Sequence, residues 1–97
     1  MTRLAFTSPA ESDVVEIVAY LDERSDTAAD IVLAEIEATC LLIQQHPSIG
    51  RRRPDLGDAV LSLPSGTYVV FYEHDDAART VTILRVLHQR RDVTAAF

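Results

Sequence analysis

The side chains best suited to catalysis in this 97-residue chain are three histidines and one cysteine, and their spacing predicts no catalytic centre. His46, His74 and His88 fall in three different predicted elements, and none forms an HxxxH or HExxH pair that could hold zinc. Cys40 lies on the apolar face of a predicted helix, which favours packing in the core over a role as a nucleophile. The three glycines stand apart in predicted turns, so no glycine-rich phosphate loop is formed. We therefore expect no metal, no cofactor and no catalytic residue.

Two arginine-rich stretches are the strongest candidates for contact with a partner. Arg51, Arg52 and Arg53 are consecutive in a predicted loop, and Arg90 and Arg91 follow the last predicted strand. Guanidinium groups form bidentate contacts with carboxylates, which a protein partner can supply. Four further candidates lie on or after the predicted strands: Tyr72, Arg85, His88 and Phe97.

Arg85 lies within an apolar stretch of the last predicted strand. Strict alternation places it on the same face as Val81, Ile83 and Leu87. Two roles remain open for its side chain. It could form a salt bridge to an acid on the neighbouring strand, such as Glu73, or belong to a docking surface on the sheet face away from the helices.

The net charge of −6 argues against a chain that binds nucleic acid by itself. All nine basic residues are arginine, against 15 acidic ones that concentrate in the first 40 residues. A protein with this balance is repelled on average by a phosphate backbone. We expect a protein partner and no direct contact with DNA or RNA.

The chain is short enough to form one domain over residues 1–97, and its apolar runs are too short for a membrane helix. The N-terminus leads directly into a predicted helix start, without the apolar region of a secretory signal. Together with the single cysteine, these features predict a cytoplasmic protein.

The first half of the chain begins with a predicted strand over residues 3–7 and a helix over residues 9–24. Ser8 and Pro9 indicate the cap and the first turn of this helix. Its apolar residues recur at three- and four-residue spacing, and Asp13 is assigned to the solvent-exposed face. One face of the helix should therefore pack against the rest of the protein.

A second helix is predicted over residues 27–46, with Asp26 or Thr27 as its cap and Pro47 after its end. It also has one apolar face. Because the link between the two helices is short, they should form an antiparallel hairpin.

Three strands follow an arginine-rich loop, over residues 59–63, 67–74 and 79–87. Their short links predict an antiparallel meander. The order is β-α-α-β-β-β, which predicts an α+β fold with the helical hairpin on one face of a small, mainly antiparallel sheet. Large apolar residues alternate onto both faces of the middle strand, whereas the hairpin can cover only one. We expect a partner to supply further cover, and the isolated chain to self-associate without it.

Several segments resemble the ParE branch of the ParE/RelE toxin superfamily. They include Ser8-Pro9-Ala10-Glu11, and the pair His46-Pro47 followed by residues 49–51 and 53–57. The strongest likeness lies in residues 66–72 and 83–92, and the similarity covers almost the whole chain in order and spacing.

This resemblance implies the toxin of a type II toxin–antitoxin system that stabilises a plasmid or chromosome and inhibits growth. Such a toxin is expected to be neutralised by a small DNA-binding antitoxin, such as a ParD-like protein. ParE-like members are described as poisoning DNA gyrase without catalysis, whereas RelE-like members cleave messenger RNA on the ribosome with a cluster of Lys and Arg. The absence of lysine and of a C-terminal tyrosine here favours ParE, and RelE-type cleavage is the alternative. The segment from His88 to Phe97 is expected to act on the target.

Overall fold

A computed structural model describes all 97 residues and places a helical hairpin on one face of a five-stranded sheet. The elements, in chain order, are β1 (Arg3–Phe6), α1 (Ser8–Asp22), α2 (Asp26–Gln45), β2 (Arg51–Arg52), β3 (Leu61–Ser65), β4 (Tyr68–Asp75), β5 (Thr80–His88) and α3 (Val93–Ala96). The strand order is β1-β5-β4-β3-β2. The pair β1–β5 is parallel, and the other three pairs are antiparallel. The predicted α+β fold is confirmed, while β2 and α3 were not predicted.

Both long helices begin one residue earlier than predicted, because the residue before each predicted cap makes the capping bond. Thr7, not Ser8, accepts a hydrogen bond from the N–H of Ala10 at 3.1 Å. Ser25, rather than Asp26 or Thr27, accepts one from the N–H of Ala28 at 3.3 Å. In each case the capping residue has an extended backbone, and its side-chain hydroxyl accepts a hydrogen bond from one of the free N–H groups at the helix start.

The main core lies between the hairpin and the sheet. Its buried members come from α1, α2, β4 and β5: Ala10, Ile36, Cys40, Ile43, Tyr68, Val70, Tyr72, Val81, Ile83 and Val86. Cys40 is 3% exposed, as its place on the apolar face of α2 predicted, and burial raises the pKa of its thiol to about 11.

A β-bulge shifts the register between β4 and β5. Phe71 lies opposite Arg85, but the next residue, Tyr72, lies opposite Ile83, so Leu84 is the extra residue. An extra residue reverses the alternation of side chains beyond it.

The bulge overturns the predicted facing of β5. Val81 and Val86, an odd number of residues apart, both belong to the main core. Leu84 and Leu87 instead pack on the opposite face of the sheet. The prediction that Arg85 and Leu87 share a face with Val81 was therefore wrong, because it assumed an unbroken alternation.

The opposite face carries a smaller second core, which the chain itself partly covers. Val60, Phe71 and Leu87 are buried there. Val93 and Ala96 of α3 pack against them, as does Leu56 of the loop before β3. The apolar second face was predicted correctly. It is partly covered by α3 and by the loop before β3, whose sequences show no apolar periodicity.

Candidate functional site

The end of the chain lies over the second core and leaves an aromatic ring half-exposed. The ring of Phe97 packs edge-on against Phe71, with centroids 5.3 Å apart, and 46% of Phe97 remains exposed. The guanidinium of Arg53 lies 5.5 Å from the centroid of the same Phe71 ring. We call residues 89–97, with α3 and Phe97, the C-terminal segment. It presents apolar surface at the edge of the second core.

Arg85 ties this segment to helix α1. Its Nε and Nη2 donate to the two carboxylate oxygens of Asp13, each at 2.8 Å. Its Nη1 donates to the carbonyl of Ala96 at 2.6 Å. The hydrogen bonds to Asp13 raise the pKa of Arg85. The salt bridge considered for Arg85 exists, but its partner is Asp13 on α1 and not Glu73 on β4.

Asp13 is a residue of this arrangement that the sequence analysis did not predict. It was assigned to the solvent-exposed face of α1, yet it is 6% exposed and also accepts the N–H of Val86 at 2.9 Å. The signal was present in the sequence. Asp13 lies three residues after Ala10 and four before Ile17, which places it on the apolar stripe of the helix. A carboxylate in that position requires a buried cation and N–H donors.

Tyr72 was a predicted contact residue, but the structure places it in the main core. It is fully buried, its hydroxyl donates to the carbonyl of Pro47 at 2.8 Å, and it accepts the N–H of Gly50 at the same distance. A Cβ on Gly50 would stand 2.5 Å from this hydroxyl, so the backbone approach requires glycine. Tyr72 therefore anchors the start of the arginine loop.

The three loop arginines differ in their surroundings. Arg51 and Arg52 form the short edge strand β2 against β3, and both are exposed. Arg53 is held by Asp55, with its Nη2 3.0 Å from the carboxylate. That hydrogen bond lowers the pKa of Asp55. Arg51 and Arg52 are thus available to a partner, whereas Arg53 belongs to the rim of the second core.

The turn after β5 carries the other basic group. The ring of His88 packs edge-on against Tyr68, with centroids 5.4 Å apart, and its Nδ1 accepts the N–H of Arg90 at 3.1 Å. Arg90 and Arg91 are exposed. Strands β3 and β4 lie between this turn and β2, so the structure does not join the two arginine groups into one cluster.

A groove of about 620 Å³ lies between α1 and the ends of β4 and β5. Its walls include Ile17 and Tyr20 from α1, and Tyr68, His88 and Arg91 from the sheet and the following turn. This mixture of aromatic, aliphatic and charged side chains suits a protein segment. No three His, Cys, Asp or Glu side chains lie close enough together to hold a metal ion. Each helix is too short or too polar to cross a membrane.

Comparison with known proteins gives the same family as the sequence motifs. Residues 4–93 match the family described as the ParE toxin of the type II toxin–antitoxin system parDE. The chain belongs to the ParE toxin family. Toxin ParE1 of Caulobacter vibrioides is 34% identical to it over 88 residues, which cover 89% of this chain and 88% of the relative.

Solved structures share the ParE-family fold of this chain. The chromosomal ParDE system from P. aeruginosa superposes with a TM-score of 0.73 at 21% identity, over 91% of this chain and 96% of the other. The toxin–antitoxin complex RelBE2 from Mycobacterium tuberculosis gives a TM-score of 0.59 at 26% identity, over 90% and 96% of the two chains. Both comparisons span the helical hairpin and the sheet together.

Proposed function

We propose that this ParE-family toxin inhibits DNA gyrase by binding it through the C-terminal segment, and that a cognate antitoxin neutralises it. The observation that carries the proposal is the half-exposed ring of Phe97, fixed over the second core with Arg90 and Arg91 at the root of the same segment. Aromatic and arginine side chains are the residue types that contribute most at protein interfaces. The choice of gyrase rests on the resemblance to the ParE branch.

Several features support action by binding rather than by catalysis. The two arginine groups expected to contact a partner, Arg51–Arg52 and Arg90–Arg91, lie on the two sides of β3 and β4. Strand β4 carries no arginine or lysine, and the chain has no tyrosine after Tyr72. His88, the histidine nearest to the arginine turn, is engaged by Tyr68 and by the backbone of Arg90. This arrangement lacks the assembled cluster of cations that a RelE-type nuclease needs.

The antitoxin part of the proposal is supported by the surface left open around the sheet. The similar solved structures from P. aeruginosa and Mycobacterium tuberculosis are a toxin–antitoxin system and a toxin–antitoxin complex. A chain that wraps the toxin would meet surfaces of differing charge. These are the acidic hairpin, the exposed Arg51 and Arg52, and the groove beside Tyr20. We expect a burial of at least ~1,600 Å² in the complex, the standard size of a stable interface.

Two assays on the purified toxin test the proposal. Inhibition of supercoiling by purified gyrase, reversed by the antitoxin, is the expected result. Cleavage of ribosome-bound messenger RNA, with gyrase unaffected, would instead assign the toxin to the RelE type of activity.

A further inference from the structure

The ion pair between the buried Asp13 and the partly buried Arg85 lies where α1, β5 and α3 meet. Asp13 comes from α1, Arg85 from β5, and the carbonyl that accepts a hydrogen bond from Nη1 of Arg85 comes from Ala96 in α3. The Asp13 carboxylate accepts three hydrogen bonds, two from Arg85 and one from the N–H of Val86. This arrangement fixes both the position and the plane of the guanidinium group.

The orientation of the guanidinium plane decides where its third donor points. Two parallel N–H bonds to one carboxylate allow little rotation of the Arg85 group, because its donors form a rigid fork. Nη1 is therefore aimed at the carbonyl of Ala96, one residue before Phe97. The ring of Phe97 itself is docked by its edge-on packing against Phe71.

We propose that Asp13, acting through Arg85, positions the C-terminal segment so that Phe97 is presented to the target in one orientation. Both are positioning residues, since neither is exposed enough to form the contact surface itself. The inference rests on the proposed function, because a fixed orientation of Phe97 matters only if the C-terminal segment binds the target. A docked segment loses less conformational freedom on binding than a free one does.

Arg85→Lys separates the positioning role from a purely structural one. A lysine keeps a cation beside Asp13, but its single ammonium group cannot reproduce the fork and also reach Ala96. We expect the variant to fold and its C-terminal segment to be released. Asp13→Asn is the second variant, since it keeps the shape of the side chain and removes the charge that orients Arg85. Asp22→Asn, at an exposed acid on the same helix, is the matched control.

The rate at which carboxypeptidase A removes Phe97 from the folded full-length toxin measures release of the segment. When docking is fast relative to cleavage, this rate follows the fraction of molecules with the segment undocked. Loss of one charge-assisted hydrogen bond should raise the rate of Phe97 removal about tenfold or more in Arg85→Lys and Asp13→Asn. The rate should not change in Asp22→Asn. Circular dichroism of each variant reports whether the sheet and hairpin remain folded.

Gyrase inhibition by the same variants completes the test. Faster release of Phe97 together with about tenfold weaker inhibition and unchanged antitoxin affinity is the result that we expect. Unchanged release from both folded variants, or unfolding of both, overturns the positioning role. Faster release with undiminished gyrase inhibition leaves the positioning intact and overturns the proposal that the C-terminal segment contacts gyrase.

Discussion

Replacing Tyr72 with phenylalanine tests the anchoring of the arginine loop. The change keeps the ring in the main core and removes only the hydroxyl, which bonds to the carbonyl of Pro47 and the N–H of Gly50. Both backbone groups then lose their partner in a part-buried region. An unsatisfied buried polar group costs about 1–3 kcal/mol, so the loss in unfolding free energy should reach at least the lower end of that range.

A loss of this size is measurable by thermal unfolding. For a domain of this length, 1 kcal/mol corresponds to about 4–8 °C in Tm, so we expect Tyr72→Phe to melt ~5–20 °C below the wild type. Circular dichroism at low protein concentration is the assay. Tyr20→Phe is the matched control, because Tyr20 is 55% exposed and its ring, not its hydroxyl, contacts Arg24.

The two tyrosine variants should differ clearly. The control is expected to stay within about 0.5 kcal/mol of the wild type, as surface substitutions usually do. Equal melting temperatures for Tyr72→Phe and Tyr20→Phe would refute the anchoring. If Tyr72→Phe kept its Tm but lost affinity for antitoxin or gyrase, Tyr72 would be a contact residue after all.

Three further predictions concern the loop, the chain end and the buried thiol. Arg51→Ala with Arg52→Ala should leave Tm unchanged and weaken antitoxin binding at low salt more than at high salt, since exposed charges are screened; equal affinity in titration calorimetry at both salt concentrations would contradict a role in binding. Deleting residues 93–97 should abolish toxicity in growing cells while antitoxin still co-purifies with the shortened toxin; failure to recover any complex would make the segment structural. Cys40, with its pKa raised to about 11, should resist alkylation at pH 8 in the native toxin and react quickly in urea. Because burial raises the pKa of the folded-state thiol above its ordinary value of 9.0, stability should fall as pH rises from about 9 to 11, and a flat urea midpoint over that interval would argue against burial of the thiol.

The long helices and strands of the fold could be predicted from local signals. The apolar spacing of α1 and α2 and the β-branched and aromatic stretches of β4 and β5 determine the type and order of the long elements. The short links determine which neighbours are antiparallel. Local signals also placed Cys40 in the core, because its position on the stripe of α2 depends on spacing alone.

What could not be predicted depends on contacts between distant residues. The bulge at Leu84 leaves no mark in the alternation of β5, and it decides which face each later residue occupies. The partner of Arg85 lies 72 residues away in the chain, and pairing with Asp13 follows only once α1 has docked beside β5. Alternation along β4 groups Tyr72 with Tyr68 and Val70, but no local signal shows that the backbone of Pro47 and Gly50 satisfies its hydroxyl inside the core.

Titration of purified gyrase with the toxin, read as the fraction of supercoiling inhibited after different incubation times, distinguishes inhibition by binding from catalysis. A toxin that acts by binding should inhibit in proportion to the fraction of gyrase occupied, reach a plateau that does not grow with time, and lose its effect when antitoxin is added. Inhibition that keeps increasing with time at amounts of toxin far below those of gyrase would show catalytic turnover. That result, or a complete lack of inhibition, would rule out inhibition of gyrase by binding alone.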